Sequence, residues 1–120
     1  MAIAFRHLVK ASDGDTKISD RGLRVYTIHC RYQMGETPEY IADQYDVPIA
    51  AVLEALAYAA DNPDEMETMR QENAAAQQRV IDQLPEQVRE DARRTAAADE
   101  QAYQEAVRKA KEARRGAAVP

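Results

Sequence analysis

Tryptophan is absent, phenylalanine occurs once, and four glycines, two histidines and one cysteine are all that 120 residues contain of those types. The single cysteine, Cys30, excludes an intrachain disulfide. Together with His7 and His29 it falls short of the three or four converging ligands that a zinc site needs, so we expect no metal and no cofactor. There is no Gly-rich phosphate loop, no nucleophile and base at a recognisable spacing, and no paired carboxylates, which points away from an enzyme. Long apolar runs are lacking too: no segment approaches the roughly 18 residues of a membrane span, and MAIAFRHLVK has no apolar signal core. A cytoplasmic location and no membrane partner are the expectation. Positive charge is also in deficit, with 16 basic against 21 acidic residues, a net charge of −5 and a mean hydropathy of −0.64. Any nucleic-acid contact has to come from a local patch.

What remains is distributed unevenly. Leu, Ile, Val and Phe number 14 in residues 1–62 and only 6 in residues 63–120, where Ala, Gln, Glu and Arg dominate. The second half is helix-prone but has few anchors, below the roughly 20% apolar content at which a segment folds unaided. We therefore read a head over 1–62 and an arm over 63–120, with the arm partly frayed until something binds it.

Within the head, IAFRHLV (Ile3 to Val9) reads as a short strand, ASDGD (Ala11 to Asp15) as a turn, and Lys17–Ser19 with Leu23–Val25 as further extended pieces. Val25, Ile28 and Tyr32 then fall on one helical face, ended by Gly35. Thr37 and Pro38 start a second helix containing Ile41 and Tyr45. Asp46 suits a left-handed turn, and Pro48 opens a third helix with an expected buried stripe of Ile49, Val52, Leu53, Leu56 and Ala60. In the arm, Asn62, Pro63 and Glu65 look like a capped start of a helix running to about Leu84. Pro85 interrupts it, and a last helix spans Glu86 to about Arg115. The fold class is mainly α: a small helix-turn-helix, winged-helix-like head with short N-terminal β-strands, followed by a long helical arm.

The spacing of IADQYDVPIAAVLEAL is that of a helix-turn-helix. Yet Pro48, Ile49, Ala50 and Ala51 stand where base-reading side chains belong, and none of them hydrogen-bonds to a base edge. Packing or a dimer surface competes with DNA reading for this helix. Phosphate contact is left to the basic residues of the head, with Lys17, Arg21, Arg24 and Arg31 as candidates in a segment of net charge −3.

The run from about Lys17 to Met66, with ISDRGLRVYTI and then MGETPEYIADQYDVPIAAVLEALAYAADNPDEM, resembles the family known as domain of unknown function 433. That family's pattern is an R-G-T-R-I-P-V stretch, a G-x-[ST]-x-E-E-I helix and a D-V-x-x-A-L-x-Y-A helix. The first part departs from it, with DTKISDRGLR in place of G-K-P-x-I-x-G-T-R. The resemblance implies a VapB-like antitoxin: a helix-turn-helix head that binds operator DNA, and a C-terminal arm that neutralises a PIN-like ribonuclease toxin.

Under that reading the toxin-binding anchors are Val80, Ile81, Leu84, Val88, Tyr103 and Val107. Arg114 and Arg115 are the guanidinium groups suited to pair with carboxylates gathered around a nuclease metal. Residues 101–120 carry a local charge of +3, which equally complements a helix C-terminus. A homodimer is expected. The alternatives are a stand-alone DNA-binding regulator whose arm is a dimerisation helix, and a structural adaptor with no nucleic-acid role.

Overall fold

The structure is a computed structural model, and it describes residues 6–11, 14–18 and 22–118. Three short antiparallel strands, β1 (Leu8–Lys10), β2 (Thr16–Ile18) and β3 (Leu23–Arg24), form a meander in the order β1-β2-β3. Leu8 stands opposite Ile18, and Ile18 opposite Leu23. The strands lead into α1 (Val25–Gln33), α2 (Pro38–Tyr45), α3 (Ile49–Asp61), α4 (Pro63–Asp82) and α5 (Glu86–Ala118). The chain is mainly helical, as its composition implied. Ile3–Phe5 of the expected first strand, Ser12–Asp13 of the expected turn and Ser19 of the second extended piece lie outside the described residues.

Two helix ends are set by single residues with positive φ. After α1, Gly35 (φ 107°) donates its N–H to Tyr32 O and Glu36 donates to Arg31 O, the paired bonds of a Schellman cap. After α2, Asp46 (φ 53°) repeats the arrangement, with bonds from Asp46 N to Asp43 O and from Val47 N to Ala42 O. Thr37 accepts the N–H of Tyr40 at 3.1 Å and Pro38 takes the first position of α2, so the α1–α2 and α2–α3 connections are both short and determinate.

The core holds Val25 and Ile28 of α1, Ile41 of α2, and Ala51, Val52 and Ala55 of α3, all fully buried, with Ala59, Val47, Ile18 and Met66 around them. Each large apolar side chain among them contributes roughly 1.5–3 kcal/mol. The expected stripe of α3 is corrected here. Ala51, Val52, Ala55 and Ala59 face inward, whereas Ile49 and Leu53 are 41% and 51% exposed, Leu56 is half-buried and Ala60 is exposed. The alanines win because they let α1 and α3 approach closely, and because Glu54 and Tyr58 are drawn toward β1 and α4.

Met66, four residues past the expected boundary, also belongs to the head's core. Asn62 does not cap α4 through its side chain; its amide donates to Tyr58 O at 2.9 Å, and Glu65 turns to Tyr58, Thr16 and Lys10. The arm is therefore anchored from its first turn. It then doubles back at Gln83–Pro85, and the far half of α5 returns to α1, where the Ala110 Cβ lies 3.5 Å from the point a Cβ on Gly35 would occupy.

The result is open. The radius of gyration is 16.4 Å, against roughly 13.6 Å for a compact chain of this length. The accessible surface of 8223 Å² exceeds by about 1,700 Å² the roughly 6,500 Å² expected at 13.5 kDa.

Gly35→Ala forces a side chain into positive φ beneath Ala110 and is expected to lower stability by about 1–2 kcal/mol in urea unfolding. Gly116→Ala, within α5 and with open space around it, is expected to raise stability by about 0.5–1 kcal/mol.

Candidate functional site

Glu54 and Tyr58, the polar side chains in the body of α3, are both used inside the chain. Glu54 accepts the N–H groups of Arg6 and His7 at 3.2 and 2.8 Å. Tyr58 donates to Glu65 Oε1 at 2.8 Å and accepts from Lys10 Nζ and Thr16 Oγ1 at 3.2 and 3.1 Å. Burial pushes the Glu65 carboxyl up, but the bonds from Lys10 and Tyr58 outweigh it and hold the group below the usual carboxylate range. What α3 turns outward is apolar. Ile49, Ala50, Leu53, Ala57 and Ala60 occupy one arc of about 100° and are all exposed.

The basic residues singled out in the head occupy different places. Lys17 and Arg24 come together around a cavity of about 370 Å³ with Asp15, Met69 and Glu72. There Arg24 Nε meets Asp15 Oδ2 at 2.6 Å, its other nitrogens reach Asn73 Oδ1 and Met69 Sδ, and the guanidinium lies 5.4 Å from the Tyr26 ring centre. Arg24 thus ties the start of α1 to the middle of α4. Arg31 sits two turns further along α1, paired bidentately with Glu36, bonded to Tyr45 Oη at 2.8 Å and stacked near that ring. The pair holds the Glu36 carboxyl below its ordinary range and raises the guanidinium further. Arg21 lies outside the described residues.

The arm's candidates divide into three sets. Val80 and Val88, on either side of the bend, are 61% and 47% exposed. Ile81 is buried and Leu84 half-buried within the bend, where Arg89 donates to the Leu84 carbonyl at 3.0 Å. Tyr103, Val107 and Arg114 share one face of α5 with the buried Ala110. On that face Arg114 donates to Tyr32 O at 2.5 Å and stacks 3.7 Å from the Tyr32 ring centre, while Arg115 is exposed. Arg114 reinforces the α1 C-terminus by binding the Tyr32 carbonyl that also accepts the Gly35 N–H of the cap. Sequence spacing gave no sign of this contact across 82 positions.

A second feature that sequence reading missed is the cluster where α5 meets α1. Tyr26 and Tyr103 lie beside Cys30, and burial, with the neighbouring thiol, raises both phenols well above the usual range. The adjacent cavity of about 320 Å³ is lined by Tyr26, His29, Gln33, Met66, Arg70 and Tyr103, and burial lowers the His29 imidazole below 6.5. Among the described residues no three His, Cys, Asp or Glu converge as a metal would require, and no helix is long and apolar enough to cross a membrane.

Residues 12–59 match the sequence model of the family described as protein of unknown function (DUF433). The match covers β2, β3 and α1 to most of α3, begins after β1 and stops before the arm. No curated protein and no solved structure matches the chain.

Arg114→Ala is expected to leave the head folded but to speed amide exchange in the last two turns of α5, read by hydrogen–deuterium exchange. Unchanged protection there would show that Ala110 and Tyr103 hold the helix alone. Because the folded His29 imidazole titrates below its unfolded value, stability should be complete above pH 6.5 and decline as pH falls through it. The Glu36 and Glu65 contributions are lost only below about pH 4.5. A drop in Tm between pH 7.5 and 5 that shrinks in His29→Gln is the expected result.

Proposed function

We propose that the chain is a non-catalytic, cytoplasmic antitoxin that captures a PIN-like ribonuclease through its arm. The observation that carries the reading is the arm's lack of burial. Of the described side chains in α4 and α5, only Met66, Ile81 and Ala110 are buried, and every residue of 71–80 is exposed. Helices that bury so little add surface that a partner can cover. Val80 and Val88 then act as anchors at the bend. Arg115, with Lys109 and Lys111, offers the exposed cationic end suited to a nuclease's carboxylate cluster. The residues quoted from Lys17 to Met66 support the same reading through their resemblance, by analogy.

The outer arc of α3 has no hydrogen-bond donor for a major groove, so the helix-turn-helix label extends to spacing and not to base reading. Operator contact, where it occurs, falls to phosphates near Lys17 and Arg24 and is expected to weaken steeply with salt.

The test is ribonuclease inhibition. The PIN-like nuclease is titrated with the full chain and with Val80→Asp/Val88→Asp at low and high salt, following RNA cleavage. Wild-type inhibition that survives high salt and weakens at least about tenfold in the double variant, whose circular dichroism is unchanged, is the expected outcome. Equal inhibition by both chains would remove the bend from the interface, and no inhibition by either would sink the antitoxin reading.

A further inference from the structure

We propose that the outward arc of α3 is the seam of a homodimer, in which α3 packs antiparallel on α3 of a second copy across a two-fold axis that passes between Leu53 and Ala57. Three observations carry this. The arc, Ile49, Ala50, Leu53, Ala57 and Ala60, holds no charge, so two copies of a chain with net charge −5 can meet there without opposing like charges. Its side chains are unevenly placed: the two large ones, Ile49 and Leu53, sit with Ala50 in the first half, and the second half carries only Ala57 and Ala60. An antiparallel pairing sets Leu53 against Ala57 of the copy and Ile49 against its Ala60, so both large side chains meet small ones while Ala50 meets alanine, whereas a parallel pairing stacks large on large.

The third observation is electrostatic. α3 has no acidic residue in its first turn and no basic residue in its last, and it ends on Asp61, the wrong sign for its own dipole. The antiparallel copy brings that carboxylate beside the other helix's N-terminus, where a negative charge is favoured, and the symmetry repeats the pairing at the far end. A partner carrying charged or hydrogen-bonding groups would find nothing on the arc to satisfy them. A second copy of the same arc needs nothing more.

The seam spans about 17 Å along the helix, a small interface whose dimer is expected to depend on protein concentration. Half-buried Leu56 borders it, and the excess surface of the chain leaves the arm free for another partner. The inference does not rest on the proposed antitoxin role.

Sedimentation velocity of the full chain at tens of micromolar is expected to give twice the 13.5 kDa monomer mass. Leu53→Glu should weaken the dimer at least about tenfold while leaving the circular dichroism unchanged, because the side chain is already half exposed. In a Cys30→Ser background, mixing Leu53→Cys with Ala57→Cys chains should form disulfides between unlike copies faster than either forms alone. That second experiment keeps the idea testable if Leu53→Glu fails to fold. A wild type that stays monomeric, a dimer that Leu53→Glu leaves intact, or an absence of preference for the 53–57 disulfide would each overturn the seam.

Discussion

Everything distinctive about this molecule follows from the close crossing of α1 and α3. Ala51, Ala55 and Ala59, with Val52 among them, present a surface small enough for the α1 side chains Val25 and Ile28 to be fully buried against it. A helix has one rotation about its axis. Once that rotation is fixed by the alanines, Glu54 and Tyr58 point at β1 and α4, where backbone N–H groups and Glu65 satisfy them, and Ile49 and Leu53 point at water. An apolar outer face and a polar inner flank are two consequences of one packing choice.

The polar pins are arranged to tie the arm to the head at three separated places. Lys10, Thr16 and Tyr58 hold Glu65 at the start of α4, Arg24 reaches Met69 and Asn73 one to two turns on, and Arg114 brings the far end of α5 onto Tyr32. Each is partly exposed, so each contributes modestly on its own. Their combined effect is geometric: they hold two weakly buried helices in a fixed direction while leaving 71–80 and Val88 exposed. A partner that docks on a preset hairpin loses less conformational entropy than one that must order it first.

Much of this was legible in the sequence, for reasons that are local. Gly35, Thr37–Pro38 and Asp46 each mark a helix end through backbone preference alone, and Pro85 marks the bend by lacking an N–H. The apolar deficit after residue 62 correctly announced helices with little to bury. The inner face of α3 was not legible, because hydrophobicity ranks Ile49 and Leu53 above Ala51, Ala55 and Ala59, while close packing ranks them the other way. The polar contacts were hidden for a related reason. Arg24, Arg31 and Arg114 look like free cations along the chain, and only the fold supplies Asp15, Glu36 and the Tyr32 carbonyl opposite them.

The same contrast explains how a helix-turn-helix spacing can persist without base-reading residues. The spacing is maintained by what faces inward: the left-handed Asp46, the buried Val47 and the alanines that meet α1. Base reading depends only on what faces outward, and the two sets share no positions. A helix in this setting can exchange its outer arginines and asparagines for isoleucine, leucine and alanine without disturbing the core. The outer arc then no longer matches a groove of hydrogen-bond donors and acceptors, and matches a surface that is apolar as it is. Because the meander and Glu54 already cover the flank toward β1, what remains open is a single strip of one helix, which is the geometry a two-fold axis requires.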